Sequence, residues 1–521
     1  MRLRPRRAAC IAGVALLAVT VHSGSLANGF VYDDAQQVVR NPWIRDPALL
    51  PKVVISGAWD YASTASNYYR PAMHAFYTAV HAVRGLDPAV FHLANLLLHA
   101  AVCVLVFLLS ELLFGDLFAA LAAAAIFAVH PVHTEAVSWI GGFPDLGAAL
   151  FCLAALWVHA GDEVAWRRCS APALFLCALW CKEIALVLPV LLLVWDKGHG
   201  HSLRLTRYLP YAAVAAVYLT LRAHALGGLA PVRRHEELGT LAVAINTFPL
   251  IAAYARMLVL PTRLTVFHGF EPASLFDLRV ILGAAIVCAA AGMAVWFRRS
   301  REVPVALAVL ALPLLPALYI PGVGENPLAE RYLYLPSLGF VWLLILAARA
   351  AASRTPALAR PTVAAGIGLV ILFSFASAAR QRVWRSDRTL WEDAAAKSPG
   401  APIAHYNLAV ALKDEGGLEG AIAEYEAALS IQQSSIAWTS LAAAQAALGR
   451  DQLAHAALLN ALALDPGYGP ALNDLGLMEL RAGRVESAIP LFERAIKLHP
   501  TMPQPRENLA LAYKALGSGT R

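Results

Sequence analysis

The chain has 521 residues, 59% of them hydrophobic and only 15% charged, against about 25% charged in soluble domains. Its net charge of +7 is spread over short loops between apolar runs, which is the placement of topology signals and not of a nucleic-acid-binding face. Composition therefore predicts an all-α architecture in two parts: a polytopic membrane domain over residues 1–384 and a more polar domain, with no run long enough to span, over 385–521. The seven cysteines all fall before residue 385, so the second part needs no disulfide framework.

The first apolar run, "AACIAGVALLAVTV" behind "MRLRPRR", has the form of a signal sequence but reads as a retained signal anchor with its N-terminus inside. It delivers "FVYDDAQQVVRNPW", residues 30–43, to the other side of the membrane. There Asp33 and Asp34 form an adjacent acidic pair. "YYRPAMHAFYTAVHAVRG" has the periodicity of an interfacial helix. Spans follow at roughly 90–113, 117–129 and 145–160. The second of these ends at "HPVHTEAVSWIGGFPD".

Lys182 and Glu183 interrupt "APALFLCALWCKEIALVLPVLLLVWDK". Charges at mid-span are costly in lipid, so the run reads as two short helices that turn at the outer surface. A span at roughly 208–224 leads to "NTFPLIAAYARMLVLPTRL", read as re-entrant or interfacial because Pro249 and Pro261 break it. Further spans lie at roughly 278–297, 304–320, 337–350 and 362–379. About eleven crossings result. They gather Asp33, Asp34, His130, His133, Glu135, Asp145, Lys182, Glu183, Glu325, Glu330 and Arg331 on the extracytoplasmic face, periplasmic or lumenal, together with the C-terminal domain.

That domain repeats with a period of about 34 residues. Leu408, Leu441, Leu475 and Leu509 recur at one position, Gly416, Gly449, Gly483 and Gly517 at a second, and Ala421, Ala454 and Ala488 at a third. Pro466 and Pro500 close successive units. This is the tetratricopeptide pattern of an α-solenoid, with three full repeats, a fourth that stops after its first helix, and a preceding half-repeat at "LWEDAAAKSP". Such arrays present a concave groove for peptides or proteins.

The motifs "FVYDDAQQVVRNP", "HPVHTEAVSWIGGFPDLGA", "CKEIALVLPVLLLVWD" and "ERYLYLPSLGF", in this order and followed by the repeats, resemble the transmembrane and tetratricopeptide-repeat O-mannosyltransferases. That family belongs to the GT-C class of polytopic glycosyltransferases. The resemblance implies transfer of a sugar, most simply mannose, from a polyprenyl-phosphate donor to Ser/Thr hydroxyls of a protein held by the repeats. It implies a catalytic acid in the first extracytoplasmic loop, here Asp33 with Asp34 as its partner. Two neighbouring aspartates on an extended segment point in different directions, so only one can be the base; the bland alternative for the pair is an Asx-type turn.

Departure of a lipid phosphate needs cations, for which Lys182 and Arg331 are the candidates, with Arg70 as a third. Glu183 would hold Lys182 or be its structural ion partner; the bland alternative for Arg331 is a snorkelling arginine paired with Glu330, itself a further substrate-binding candidate. His130, His133 and Glu135 raise a divalent metal, but their spacing is not that of a helical metal pair. They read instead as lining a substrate pocket with Asp145 across the loop, and no cofactor is expected. Two other readings fit the same residues: a non-catalytic, membrane-anchored scaffold for envelope proteins, and a GT-C enzyme acting on a glycan or lipid acceptor.

Overall fold

A computed structural model of the chain describes residues 5–161, 165–232, 238–322 and 327–518; Glu325 lies outside the described residues. The described chain is helical throughout, without a strand, and divides into two compact units, Met1–Ser386 and Asp387–Arg521.

The first unit begins with α1 (Pro5–His22), which a 3₁₀ turn extends to Ala27. After a loop, α2 (Pro71–Arg84), α3 (Pro88–Phe114) and α4 (Leu117–Val129) follow. The α3–α4 link is only Gly115-Asp116. Gly115 takes a left-handed φ of +63°, which ends α3 without a Cβ penalty. The Asp116 carboxylate then accepts from the N–H groups of Phe118 and Ala119 and starts α4. Next come α5 (Phe143–His159), α6 (Ala165–Cys181), α7 (Leu188–Gly198) and α8 (Leu205–Leu226). The unit closes with α9 (Thr240–Val259), α10 (Leu278–Trp296), α11 (Glu302–Ala311), α12 (Pro336–Arg354) and α13 (Ala359–Arg380).

Among the described residues, eight helices are long and apolar enough to cross a membrane, or nine if α4 and the short helix after it count as one bent span. The chain is a multi-pass membrane protein. The eleven expected crossings also counted α6, α7 and α11, helices of 17, 11 and 10 residues that are not among those eight. The Lys182–Glu183 reading as a turn between two short helices matches the geometry. Lys182 pairs with Asp145 near the start of α5, whereas Asp196 on α7 meets His159 at the far end of α5; the chain climbs in α6 and descends in α7. Helix α9 runs unbroken through Pro249, and its length and composition would allow a span. Yet its preceding loop is fastened to Asn67 and its last turn to His130, so both flanks are tied to the end that carries the charged loops.

The core lies between α1, α3, α4, α5 and α12, where Val14, Phe107, Phe127, Leu146 and Trp342 are buried together. Trp342 reaches across to donate to Ser110 Oγ at 2.7 Å. Helix α5 buries 78% of its apolar stretch, α10 only 11%, which marks α5 as the axis of the bundle and α10 as a lipid-facing rim. Small residues allow close helix crossings. A Cβ on Gly339 of α12 would lie 2.4 Å from the backbone of α11.

In the second unit, helices pair as α14 (Asp387–Lys397), α15 (Pro402–Asp414), α16 (Leu418–Ile431), α17 (Ser435–Ala447), α18 (Asp451–Leu464), α19 (Gly469–Arg481), α20 (Val485–Leu498) and α21 (Gln504–Ser518). Ala421, Ala454 and Ala488 have no exposed surface, so each pair crosses at an alanine. Gly416, Gly449 and Gly483 supply the positive φ that ends the first helix of each repeat.

Candidate functional site

The acidic pair sits on a strained turn. Tyr32 has φ +58°, a left-handed conformation that costs a bulky residue about 1–3 kcal/mol and must be held by its surroundings. The clamp is Asp34. Its carboxylate is fully buried and accepts from the Val31 N–H at 3.1 Å and from the Gly141 N–H, on the loop before α5, at 2.9 Å. Gly142 lets that loop close, because a Cβ there would lie 2.2 Å from Ala136 O.

With Asp34 turned inward, Asp33 faces the opposite way, into a cavity it shares with Arg70, Asp145, Lys182, Arg331, Tyr332 and Trp139. Among the described residues the Asp33 side chain forms no hydrogen bond or ion pair. Burial pushes its pKa up to about 6, against the opposing pull of the Arg331 cation. A carboxylate with free lone pairs, poised near neutrality, is equipped to accept a proton.

The opposite wall is cationic. Lys182 caps α6 in an extended conformation, and its Nζ donates to Asp145 Oδ1 at 2.6 Å, both side chains being almost fully buried. Arg331 is gripped by Glu135. One carboxylate oxygen accepts the Arg331 backbone N–H at 2.9 Å, and the other pairs with its guanidinium. The Tyr332 ring lies between the two cations, 4.7 Å from Lys182 Nζ and 5.2 Å from the Arg331 guanidinium. Trp139 forms a further aromatic wall under Arg331.

A second compartment adjoins the first through Tyr68, Arg70, Lys182 and Tyr332 and is lined further on by Glu183, Arg222 and Ile184. The second and the first have volumes of about 180 and 50 Å³, smaller than the roughly 300–1,000 Å³ of a drug-sized site. A larger groove between α4, α12 and α13 has almost wholly aliphatic walls, as a lipid-covered surface should.

The structure thus brings Asp33, Arg70, Asp145, Lys182, Glu183 and Arg331 to two joined cavities. It places the remaining expected site residues elsewhere. Asp34 is a backbone clamp. Glu135 stands behind Arg331. Glu330 is fully buried and turns to Arg380 at 3.2 Å and His268 at 3.7 Å.

His130 and His133 do not line the pocket. His130 meets Leu258 O at 3.0 Å, and His133 bonds Ser337 Oγ at 2.8 Å within a buried ring cluster that includes His99 and Tyr334. Sequence reasoning overlooked Arg222 and the collar of Tyr68, Trp139 and Tyr332. The only signal was an aromatic beside each charged motif, in "NYYRP", "SWIGG" and "ERYLY".

The repeat unit matches the tetratricopeptide repeat family model over residues 403–435. Over most of its length the chain is 26% identical to the human protein O-mannosyl-transferase TMTC1, across 492 residues that cover 81% of this chain and 55% of that protein. Its curated relatives are protein O-mannosyl-transferases. The mouse TMTC3 protein is 24% identical across 557 residues, 92% of this chain and 59% of that one. A shorter stretch of 206 residues is 32% identical to human TMTC2, covering 37% of this chain and 24% of that relative. The chain spans a little over half the length of the first two relatives.

Proposed function

We propose that the protein is a membrane O-mannosyltransferase that moves mannose from a polyprenyl-phosphate donor to Ser/Thr hydroxyls of a protein. The observation that carries this reading is the pairing, in one cavity, of an unbonded carboxylate near neutral pKa with a wall of buried cations. Asp33 takes the proton of the acceptor hydroxyl as the hydroxyl oxygen forms its bond to the sugar anomeric carbon. The bond from that carbon to phosphate breaks, and its electron pair leaves on the lipid phosphate. Negative charge therefore moves from the Asp33 side toward the cations, where Lys182, Arg331 and Arg70 stabilise it. Asp145 and Glu135 are positioning residues that fix Lys182 and Arg331. Tyr332 and Trp139 supply flat faces of the kind that sugars stack on.

In this reading the site and the repeats lie outside the cytoplasm, and the repeats present the acceptor polypeptide. A scaffold would need neither the buried cations nor the clamped turn. The test incubates purified protein with polyprenyl-phosphate mannose, polyprenyl-phosphate glucose and a Ser/Thr-rich protein, and reads hexose addition by mass spectrometry. Hexose from the mannose donor is expected. Failure with every lipid-linked sugar, alongside protein binding by the repeats, would favour the scaffold.

A further inference from the structure

Helix α13 is fastened at one end only. Its last turns are held: Phe373, Ser377 and Arg380 are buried, Ser377 Oγ donates to Val129 O at 2.8 Å, and Arg380 pairs with Glu330. No residue of α13 before Phe373 is buried. Over those first turns the helix stands off from α4 and α12, and the gap is the aliphatic groove between the three, with a volume of about 760 Å³. Val363, Ile367 and Ile371, at the four-residue spacing of one helix face, line it and are exposed. On the facing helices Ala119, Ala122 and Ala348 are too small to close the gap.

The length and the charge of the groove identify what fits it. Its α13 wall runs from Ala359 to Ile371, about 18 Å at the helical rise. One leaflet of a hydrocarbon core about 30 Å thick takes about 15 Å, so the groove is as long as one acyl chain. Its mouth is at the end of the bundle opposite the charged loops, where α4 starts after Asp116 and α12 ends at Arg354. Arg349 lines that mouth, its guanidinium 5.6 Å from the Phe114 ring, and Arg354 and Arg360 stand at the adjoining ends of α12 and α13. All three arginines are exposed, and among the described residues their side chains form no hydrogen bond or ion pair. Among the described residues Asp116 is the one acid that lines the groove, and its carboxylate is engaged as the cap of α4. Basic residues at this end also serve topology, but a topology signal needs no slot beside it.

We propose that this groove is the seat of an anionic phospholipid: one acyl chain lies between α4, α12 and α13, and the phosphate headgroup meets Arg349, Arg354 and Arg360. The chain gives the first turns of α13 the apolar neighbour that the protein does not supply. The lipid thereby braces a helix whose other end holds Arg380 on Glu330, beside Arg331 of the candidate site. The seat is independent of the sugar chemistry and stands whether or not the protein is a transferase.

The test titrates the purified full chain in detergent with dioleoyl phosphatidylglycerol in one arm and dioleoyl phosphatidylcholine in the other, and reads bound lipid by native mass spectrometry. Phosphatidylglycerol should bind at least about fivefold tighter, the scale of one arginine beside an anionic headgroup. Arg349→Gln, at an exposed position, should reduce that preference about fivefold. Gly366→Leu fills the slot: Gly366 lines it, and a Cβ there meets nothing within 4 Å. With its unfolding midpoint checked against wild type, this variant should bind phosphatidylglycerol about tenfold more weakly. Equal binding of the two lipids overturns the anionic assignment, and an unchanged preference in Arg349→Gln overturns the headgroup contact. Unchanged binding by a folded Gly366→Leu overturns the groove as the seat. Undecaprenyl phosphate that displaces phosphatidylglycerol at equal concentration would assign the groove to a prenyl chain, and a two-chain species that Gly366→Leu abolishes would assign it to a second copy; either result overturns the phospholipid.

Discussion

Replacing Asp33 with Asn should make the protein more stable while removing its chemistry. The raised pKa of Asp33, about 6 against 3.8, means that the folded state binds its proton more tightly than the unfolded chain does. Ionised Asp33 therefore opposes folding. The cost is absent below the unfolded pKa, grows as pH rises, and is complete above the folded value. Two units at about 1.4 kcal/mol each give roughly 3 kcal/mol at pH 8, about half of that at pH 5, and little near pH 4. Asn has nearly the same shape, and among the described residues no hydrogen bond to the Asp33 side chain is lost. Unfolding of wild type and Asp33→Asn in the same detergent, at pH 8, 6 and 4.5, should show the variant more stable at pH 8, with the gap narrowing as pH falls. A variant less stable than wild type at pH 8, or a gap that ignores pH, would refute the reasoning.

Three further predictions concern the rest of the site. Transfer at limiting substrate should rise about tenfold per pH unit up to about pH 6 and then level off, because the Asp33 base must be deprotonated; a profile flat from pH 4.5 to 8 would argue against it. Lys182→Met leaves Asp145 buried without its cation and should cost about 3–5 kcal/mol, whereas Lys182→Met with Asp145→Asn should recover most of the stability, read from unfolding midpoints, and none of the activity. Glu135→Gln loosens the seat of Arg331 and should lower kcat about a hundredfold, the scale of loss from an ångström of misplacement; unchanged kcat in steady-state assays would show that Arg331 needs no such seat.

Much of this is legible in the sequence. Apolar run lengths, the 34-residue period and the charges that break the run at Lys182 follow from local rules of solvation and spacing, which the chain obeys element by element. Asp33 and Asp34 do diverge, but from a turn that opens a short π-helix over Ala35–Val39 and not from the extended segment expected, and the sequence does not say which one faces the cavity. That depends on the Gly141 N–H, 107 residues away in sequence. The histidines misled for a related reason. "HPVHTE" looks like pocket chemistry, yet His130 and His133 are used to satisfy carbonyl and hydroxyl groups between packed helices, where a polar side chain must find a partner. Glu330 and Arg331 are neighbours that face opposite ways, and only the position of Arg380 on α13 reveals which is structural. Arg222 sits in an ordinary apolar helix and acquires meaning only through Asn67, Leu229 and Glu183, none of which is its sequence neighbour.

The most direct test of the whole account compares wild type, Asp33→Asn and Asp34→Asn for transfer from polyprenyl-phosphate mannose to a Ser/Thr peptide, with each protein checked for folding. The account predicts that Asp33→Asn loses at least about a hundredfold in rate while folding well. It predicts that Asp34→Asn, which weakens the grip on the Val31 and Gly141 N–H groups, loses stability and retains measurable transfer. Wild-type rates from Asp33→Asn, or complete loss of transfer in a well-folded Asp34→Asn, would contradict it.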